Sequence, residues 1–141
     1  MATTNATISI SSDIMSYPTT INKTMTMKKL ASCHGLEETS GLNVKKFTAT
    51  TAVKLVDNTE GTAGKASKVY IRNTGSDKAN FFYVALANGA AASDSTETIG
   101  KLYGGDWMLM PWAATAATTH DIHVAPNTAE PMTIEWMVFV E

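Results

Sequence analysis

The feature that most constrains the fold is a series of short β-like segments that begins at Val44 and continues to the C-terminus. Residues 68–73 alternate apolar and polar side chains, residues 81–86 are almost continuously apolar, and residues 133–140 alternate again. Clusters of Gly, Pro, Asn and Asp separate these segments at intervals of roughly 8–15 residues. About seven strands with this spacing predict an all-β fold, an antiparallel β-sandwich or barrel.

The same patterns predict which residues form the core. In the last segment Ile134, Trp136, Val138 and Val140 share one side of the strand. The strand segment 106–110 is predicted to end at Pro111, because proline cannot donate a hydrogen bond to a β-ladder.

The first 43 residues have little core of their own. Ile8 and Ile10 alternate with Thr and Ser, and Met25 and Met27 alternate with Thr and Lys, so each pair indicates a short strand. Such strands are stable only when they lie on a sheet or on a neighbouring subunit. We therefore expect an extended N-terminal arm over 1–43 and a β-sandwich domain over 44–141.

Composition excludes several classes of protein. Charged residues make up only 17% of the 141 residues, and the single arginine is Arg72, which argues against nucleic-acid binding. No apolar run is long enough to span a membrane, and the N-terminus has no signal-like apolar region. Cys33 is the only cysteine, so no intrachain disulfide is expected. A surface with so little charge is typical of a protein whose faces are covered by neighbours.

Charge is unevenly distributed along the chain. Residues 20–68 contain eight basic and four acidic residues, whereas residues 69–141 contain three basic and eight acidic ones. One interpretation is two differently solvated faces. The other is a basic segment that meets an acidic surface of another copy or of a partner.

No motif indicates catalysis or a cofactor. His120 and His123 are three residues apart, so on a strand they face opposite sides and cannot share a metal ion unless the strand bends. Cys33 and His34 lack a partner arrangement for nucleophilic catalysis. A calcium site would have to be assembled from scattered aspartates without a metal-binding loop; these are Asp13, Asp57, Asp94, Asp106 and Asp121. We expect no enzyme activity, no cofactor and no metal.

The segment around Trp107 is the candidate for contacts with partners. Trp107 and Trp112 flank an apolar run that includes Met108, and they lie on opposite sides of an extended chain. Together with Ile8, Ile10, Met25 and Met27 of the arm, these residues form the predicted interface. An alternative is a carbohydrate-stacking surface built from Trp107, Trp112 or Tyr103.

Three stretches resemble small virion proteins of tailed bacteriophages. They are KVYIRNTG at 68–75 followed by FFYVAL at 81–86, the run IGKLYGGDWMLMP at 99–111, and the closing strand 134–140. The resemblance covers about residues 66–141 and is a pattern of strands and turns. It implies a jelly-roll-like sandwich that decorates or cements a capsid, or that lies in the tail.

The function implied by this resemblance is structural. We expect a non-enzymatic virion protein, made in the host cytoplasm, that binds the major capsid protein and copies of itself and stabilises the phage head. The resemblance suggests a homotrimer. The alternative is a tail-associated domain that binds a receptor or a carbohydrate. We expect neither nucleic acid nor membrane as a partner.

Overall fold

The protein is built almost entirely of antiparallel β-strands. The computed structural model describes residues 3–12, 19–28, 38–61, 67–86, 98–113 and 120–140. The strands are β1 (Thr3–Ser12), β2 (Thr19–Lys28), β3 (Glu38–Thr39), β4 (Asn43–Phe47), β5 (Val53–Val56), β6 (Ser67–Asn73), β7 (Phe81–Leu86), β8 (Thr98–Tyr103), β9 (Trp107–Trp112), β10 (Ile122–Pro126) and β11 (Met132–Val140). The chain divides into two compact units, Met1–Glu37 with Glu141, and Glu38–Val140.

The second unit is a β-sandwich of two antiparallel sheets. One sheet has the order β4-β11-β6-β9, with β3 pairing the far end of β11, and the other has the order β5-β10-β7-β8. This order is that of the eight-stranded jelly roll, in which two Greek keys fold over each other. The predicted fold class, an all-β antiparallel sandwich of jelly-roll type, is therefore confirmed.

The core lies between the two sheets. Its largest fully buried members alternate along their strands, as β-structure requires; they are Val56, Val69, Ile71, Phe82, Val84, Ile122, Val124, Ile134 and Val138. Trp136 is half-buried and packs against this cluster, as predicted. The edge of the Phe47 ring meets the Phe82 ring at a centroid distance of 5.3 Å, which joins the two sheets.

One predicted strand end is wrong. β9 continues through Pro111 to Trp112, with Pro111 opposite Lys68. Among the described strands, β9 pairs only with β6, so it is an edge strand. A proline is tolerated there because its missing N–H costs no ladder hydrogen bond on the open side.

The division between the two units falls within the segment assigned to the arm. Glu38 and Thr39 pair with the end of β11, and the Ser40 N–H donates to the Val138 carbonyl at 3.0 Å. Asn43 pairs with Trp136. Residues 38–43 are thus held by the sandwich through backbone hydrogen bonds.

The N-terminal unit contains a β-hairpin. β1 and β2 pair over ten consecutive residues, from Thr3 opposite Lys28 to Ser12 opposite Thr19. The Thr7 and Thr24 hydroxyls are hydrogen-bonded across the two strands at 2.9 Å. The two short strands predicted in the arm are therefore longer than expected and are each other's partners.

Asn73 and Gly104 fix the turns at one end of the sandwich. The buried Asn73 side chain donates to the Leu102 carbonyl at 3.0 Å and accepts from the Gly75 N–H at 3.0 Å. The Gly104 N–H donates to the Asp77 carbonyl at 3.2 Å. A Cβ on Gly104 would overlap the Asp77 backbone, so only glycine fits this close approach.

Lys54 joins the end of β5 to the start of β10 through two ion pairs. Its ammonium lies 2.7 Å from an oxygen of the buried Asp121 and 2.9 Å from an oxygen of Asp57. Asp57 also caps the 3₁₀ turn Asn58–Glu60 by accepting from the Thr59 N–H at 3.0 Å. This hydrogen bond, together with Lys54, lowers the pKa of Asp57 to about 2.

We predict that Gly104→Ala destabilises the sandwich by about 1–3 kcal/mol, because the added methyl group displaces backbone. Gly100→Ala is the matched control, since nothing lies within 4 Å of a Cβ built there. Urea unfolding of both variants measures the difference. Equal stability of the two variants would contradict the close approach at Gly104.

The stability of the sandwich should depend on pH through Asp57. Because folding lowers the pKa of Asp57 from 3.8 to about 2, its carboxylate stabilises the native state above about pH 4. That contribution is lost as the pH falls from about 4 to 2. Asp57→Asn keeps a capping side chain but cannot ionise, so its unfolding free energy should fall less steeply across this window. Urea unfolding at several pH values between 2 and 7 tests this, and parallel curves would refute it.

Candidate interaction surfaces

The outer face of the β4-β11-β6-β9 sheet is the first candidate surface, and we call it the Trp107 face. The β-register places twelve described side chains on it; they are Val44, Lys46, Lys68, Tyr70, Arg72, Trp107, Leu109, Pro111, Thr133, Glu135, Met137 and Phe139. Exposure is uneven across it: Phe139 is buried, whereas Trp107 is 46% and Val44 61% exposed. The exposed large apolar side chains of this face therefore lie at the two margins of the sheet, on β4 and on β9.

A polar cluster lies at the centre of the Trp107 face. Arg72 is paired on one side with Trp107 and on the other with Glu135. The Tyr70 hydroxyl donates to Glu135 Oε1 at 2.9 Å, and the Arg72 guanidinium lies 3.4 Å from the same oxygen. Burial, and then the hydrogen bond to Glu135, raises the pKa of Tyr70, so its phenol stays a neutral donor at physiological pH.

These residue types are those on which protein interfaces depend. Trp, Tyr, Arg and Met are enriched at interfaces, and Trp, Tyr and Arg dominate their hot spots. On the Trp107 face the indole is open while Tyr70 and Arg72 are held in place by one carboxylate. Such fixed side chains lose little conformational entropy when a partner covers them.

The apolar side of the hairpin is the second candidate surface, and we call it the isoleucine face. The register places Ala6, Ile8, Ile10, Ile21, Met25 and Met27 on one side, and Lys23 is the only charged residue that the two described strands place on that side. The opposite side contains almost only Thr, Ser and Asn. Met27 is buried, whereas Ile8, Ile21 and Ile10 are 40%, 44% and 52% exposed. Exposure thus rises from the end of the hairpin near Met27 towards the end where Ser12 pairs with Thr19.

The predicted interface residues are divided between surface and interior. Ile8, Ile10 and Trp107 are exposed. Met108 packs against the core, and Trp112 is a buried core residue whose indole N–H donates to the His120 carbonyl at 2.7 Å. Met25 is half-buried, and Met27 is buried. Single-strand alternation places Trp107 and Trp112 on opposite sides, but it does not reveal which side is inside.

Several residues of these surfaces were missed by the sequence reasoning. Ile21 lies opposite Ile10, and Tyr70 and Glu135 join Arg72 on the Trp107 face. Pairing β1 with β2 around the polar stretch between them would have found Ile21. The contact between Tyr70 and Glu135 spans 65 residues, and no local pattern indicates it.

The aromatic residues proposed for carbohydrate stacking do not share one surface. Tyr103 lies on the outer face of the other sheet, where its ring is 5.0 Å from that of Phe81, and Trp107 lies on the Trp107 face. The Lys101 ammonium lies 4.6 Å from the centre of the Phe81 ring. Since Trp112 is buried, these three side chains form no common stacking platform.

A polar cleft of about 360 Å³ lies where the β6–β7 and β10–β11 connections meet. Asp77, Asn80 and Glu130 line it, and the Asn80 amide donates to both carboxylates, at 3.0 and 3.4 Å. The carboxylates are therefore already hydrogen-bonded to the protein.

The other candidate polar residues are engaged in the fold or lie outside the described residues. His120 and His123 are both inside the second unit, and His123 is buried. Asp57 and Asp121 are joined through Lys54, and Asp106 accepts from the Tyr103 N–H at 3.1 Å. Asp13, Asp94, Cys33 and His34 lie outside the described residues. Among the described residues, no group of three or more His, Cys, Asp and Glu side chains is arranged to hold a metal ion.

Comparison with known proteins gives no match, whether with family models, with curated proteins or with solved structures. Within the described part of the chain, no helix has the length and apolar character needed to cross a membrane.

We predict effects of very different size for the two tryptophans of β9. Trp112→Ala removes a buried core side chain and should lower the unfolding free energy by about 3–5 kcal/mol. Trp107→Ala removes a side chain that is 46% exposed and should cost much less. Urea unfolding followed by circular dichroism compares them, and a larger loss for Trp107→Ala would reverse the assignment of the two faces.

Proposed function

We propose that the protein is a non-enzymatic structural component of a tailed-phage virion, of the capsid-decoration kind. In this proposal it associates with copies of itself and with the major capsid protein, and it thereby stabilises the phage head. The observation that carries the proposal is the Trp107 face, where an exposed indole flanks an ordered Tyr70–Glu135–Arg72 cluster.

A decoration protein needs broad surfaces that gain free energy from burial. The Trp107 face offers exposed Trp107 and Val44 beside fixed polar groups. The exposed apolar side chains lie at the margins of this face, and the hydrogen-bonded cluster lies between them. A partner that covers the whole face would therefore remove the apolar side chains from water. Repetition of one modest contact over many lattice positions then gives strong overall attachment.

The isoleucine face supports the self-associating part of the proposal. Three large aliphatic side chains, Ile8, Ile10 and Ile21, are exposed on one side of a single hairpin. A contiguous apolar patch of this kind marks a contact with another protein chain. The jelly roll is also an architecture that viral capsid domains use.

The test is binding to particles of the encoding virus that were assembled without this chain. We expect the purified protein to cosediment with them, saturably and at a fixed number of copies per particle, and to raise their resistance to heat. Trp107→Ala should weaken this binding by about tenfold or more, as loss of an interface hot spot does.

Tyr103→Ala is the matched control, because Tyr103 is a similarly exposed aromatic residue on the outer face of the other sheet. It should leave capsid binding nearly unchanged. A folded protein that binds no such particle would refute the proposal. Binding to a glycan array that is lost in Trp107→Ala, without capsid binding, would favour the receptor-binding alternative.

A further inference from the structure

The edges of the sandwich carry features that discourage pairing with another strand. In β9 the proline at position 111 removes a hydrogen-bond donor. In β4 Lys45 lies on the core-facing side, opposite Ile134, with its ammonium 5.5 Å from the Phe47 ring. β8 is interrupted by a register shift, and β5 is only four residues long. Prolines, inward charges, irregularities and short strands are the usual protections of exposed edges.

The hairpin has none of these protections on β1. Thr3–Ser12 contains no proline and no charged residue, and its ten pairs with β2 show no register shift. Among the described strands, β1 and β2 pair only with each other. The outer edge of β1 is thus a long, regular and uncharged row of backbone donors and acceptors, which is the kind of edge that accepts another strand.

Charge distinguishes the two edges of the hairpin. β2 contains Lys23 and Lys28, whereas β1 is neutral. Two copies of β1 can lie side by side without bringing like charges together, whereas two copies of β2 would place lysines near each other. The lysine-bearing strands are then outermost, where the Lys23 ammonium reaches water from the margin of the apolar face.

We propose that the partner of the β1 edge is β1 of a second copy, paired antiparallel about a two-fold axis. The product is a four-stranded sheet with the order β2-β1-β1-β2. This inference rests on the self-association in the proposed function and names its contact. The axis is perpendicular to the sheet, so the isoleucine faces of both copies lie on the same side and join into one apolar surface.

Stability gives a second reason for this pairing. An isolated two-stranded hairpin is marginal in water, whereas three or more strands with a hydrophobic face are stable. Pairing through β1 supplies four strands and places Ile8 and Ile10 of both copies at the centre, with Ile21 on the outer strands. The contact is isologous and closes at two copies, unlike the trimer implied by the resemblance to phage proteins.

The test adds the same charges to either strand of the hairpin in the full-length chain. Ser9→Lys with Ser11→Lys places two cations on β1, and Asn22→Lys with Thr20→Lys places two on the directly opposite positions of β2. All four residues are exposed. The β1 variant should raise the dimer dissociation constant by roughly tenfold, because it adds two cations from each copy to the adjoining central strands. The β2 variant should change it little.

Sedimentation over a range of concentrations measures these constants, and hydrogen exchange of the unmodified chain provides an independent readout. On dimerisation the outward amides of β1 should become protected, while those of β2 should exchange as before. A monomer at all concentrations, a trimer, equal weakening by the two variants or protection of β2 alone would overturn the pairing. A trimer that still binds capsids would leave the proposed function intact, and a dimer that binds none would refute that function alone.

Discussion

The structure depends on the register of β11. This strand lies at the centre of its sheet and is paired with β6 on one side and with β3 and β4 on the other. A shift of one residue would turn Ile134 and Val138 out of the core and bring Glu135 into it. The Tyr70–Glu135–Arg72 cluster and the core are therefore two consequences of one alignment, with polar contacts outside and apolar packing inside.

The two ends of the sandwich are fixed in different ways. At one end the chain is fixed by backbone contact, through the buried Asn73 amide and the close approach of Gly104 to Asp77. On the other side it is fixed by charge, through Lys54 between two aspartates. Salt and acid weaken ion pairs but leave backbone contacts almost unaffected.

Much of the fold follows from local patterns. Alternation in residues 68–73 and 133–140 identifies strands and their buried sides, because period-two patterning is a property of each strand alone. Sheet order cannot be predicted from such local patterns. β11 pairs with residues of β4 about ninety positions earlier, and neither strand has a sequence feature that identifies the other as its partner. The predicted strand end at Pro111 was wrong because proline ends a strand only where that strand is paired on both sides, and β9 is paired with β6 alone among the described strands.

The interaction surfaces were predictable to a smaller extent. Ile8, Ile10 and Trp107 are identified by their residue type and lie on the surface. Trp112 has the same residue type and is in the core, because the side of β9 that faces inward is determined by its pairing with β6. Exposure of an aromatic residue is thus a property of the sheet and cannot be read from one strand.

The central position of β11 also governs the order in which the nascent chain can fold. The hairpin joins residues close in sequence, so it can form soon after it leaves the ribosome, whereas the sandwich is completed only after β11 has been synthesised. During that interval the outer edge of β1 is exposed in every growing chain, and β4 and β6 still lack β11, the strand that lies between them. Neighbouring ribosomes on one messenger RNA would bring such chains together. The rate of translation therefore affects whether two copies pair before or after their sandwiches have folded.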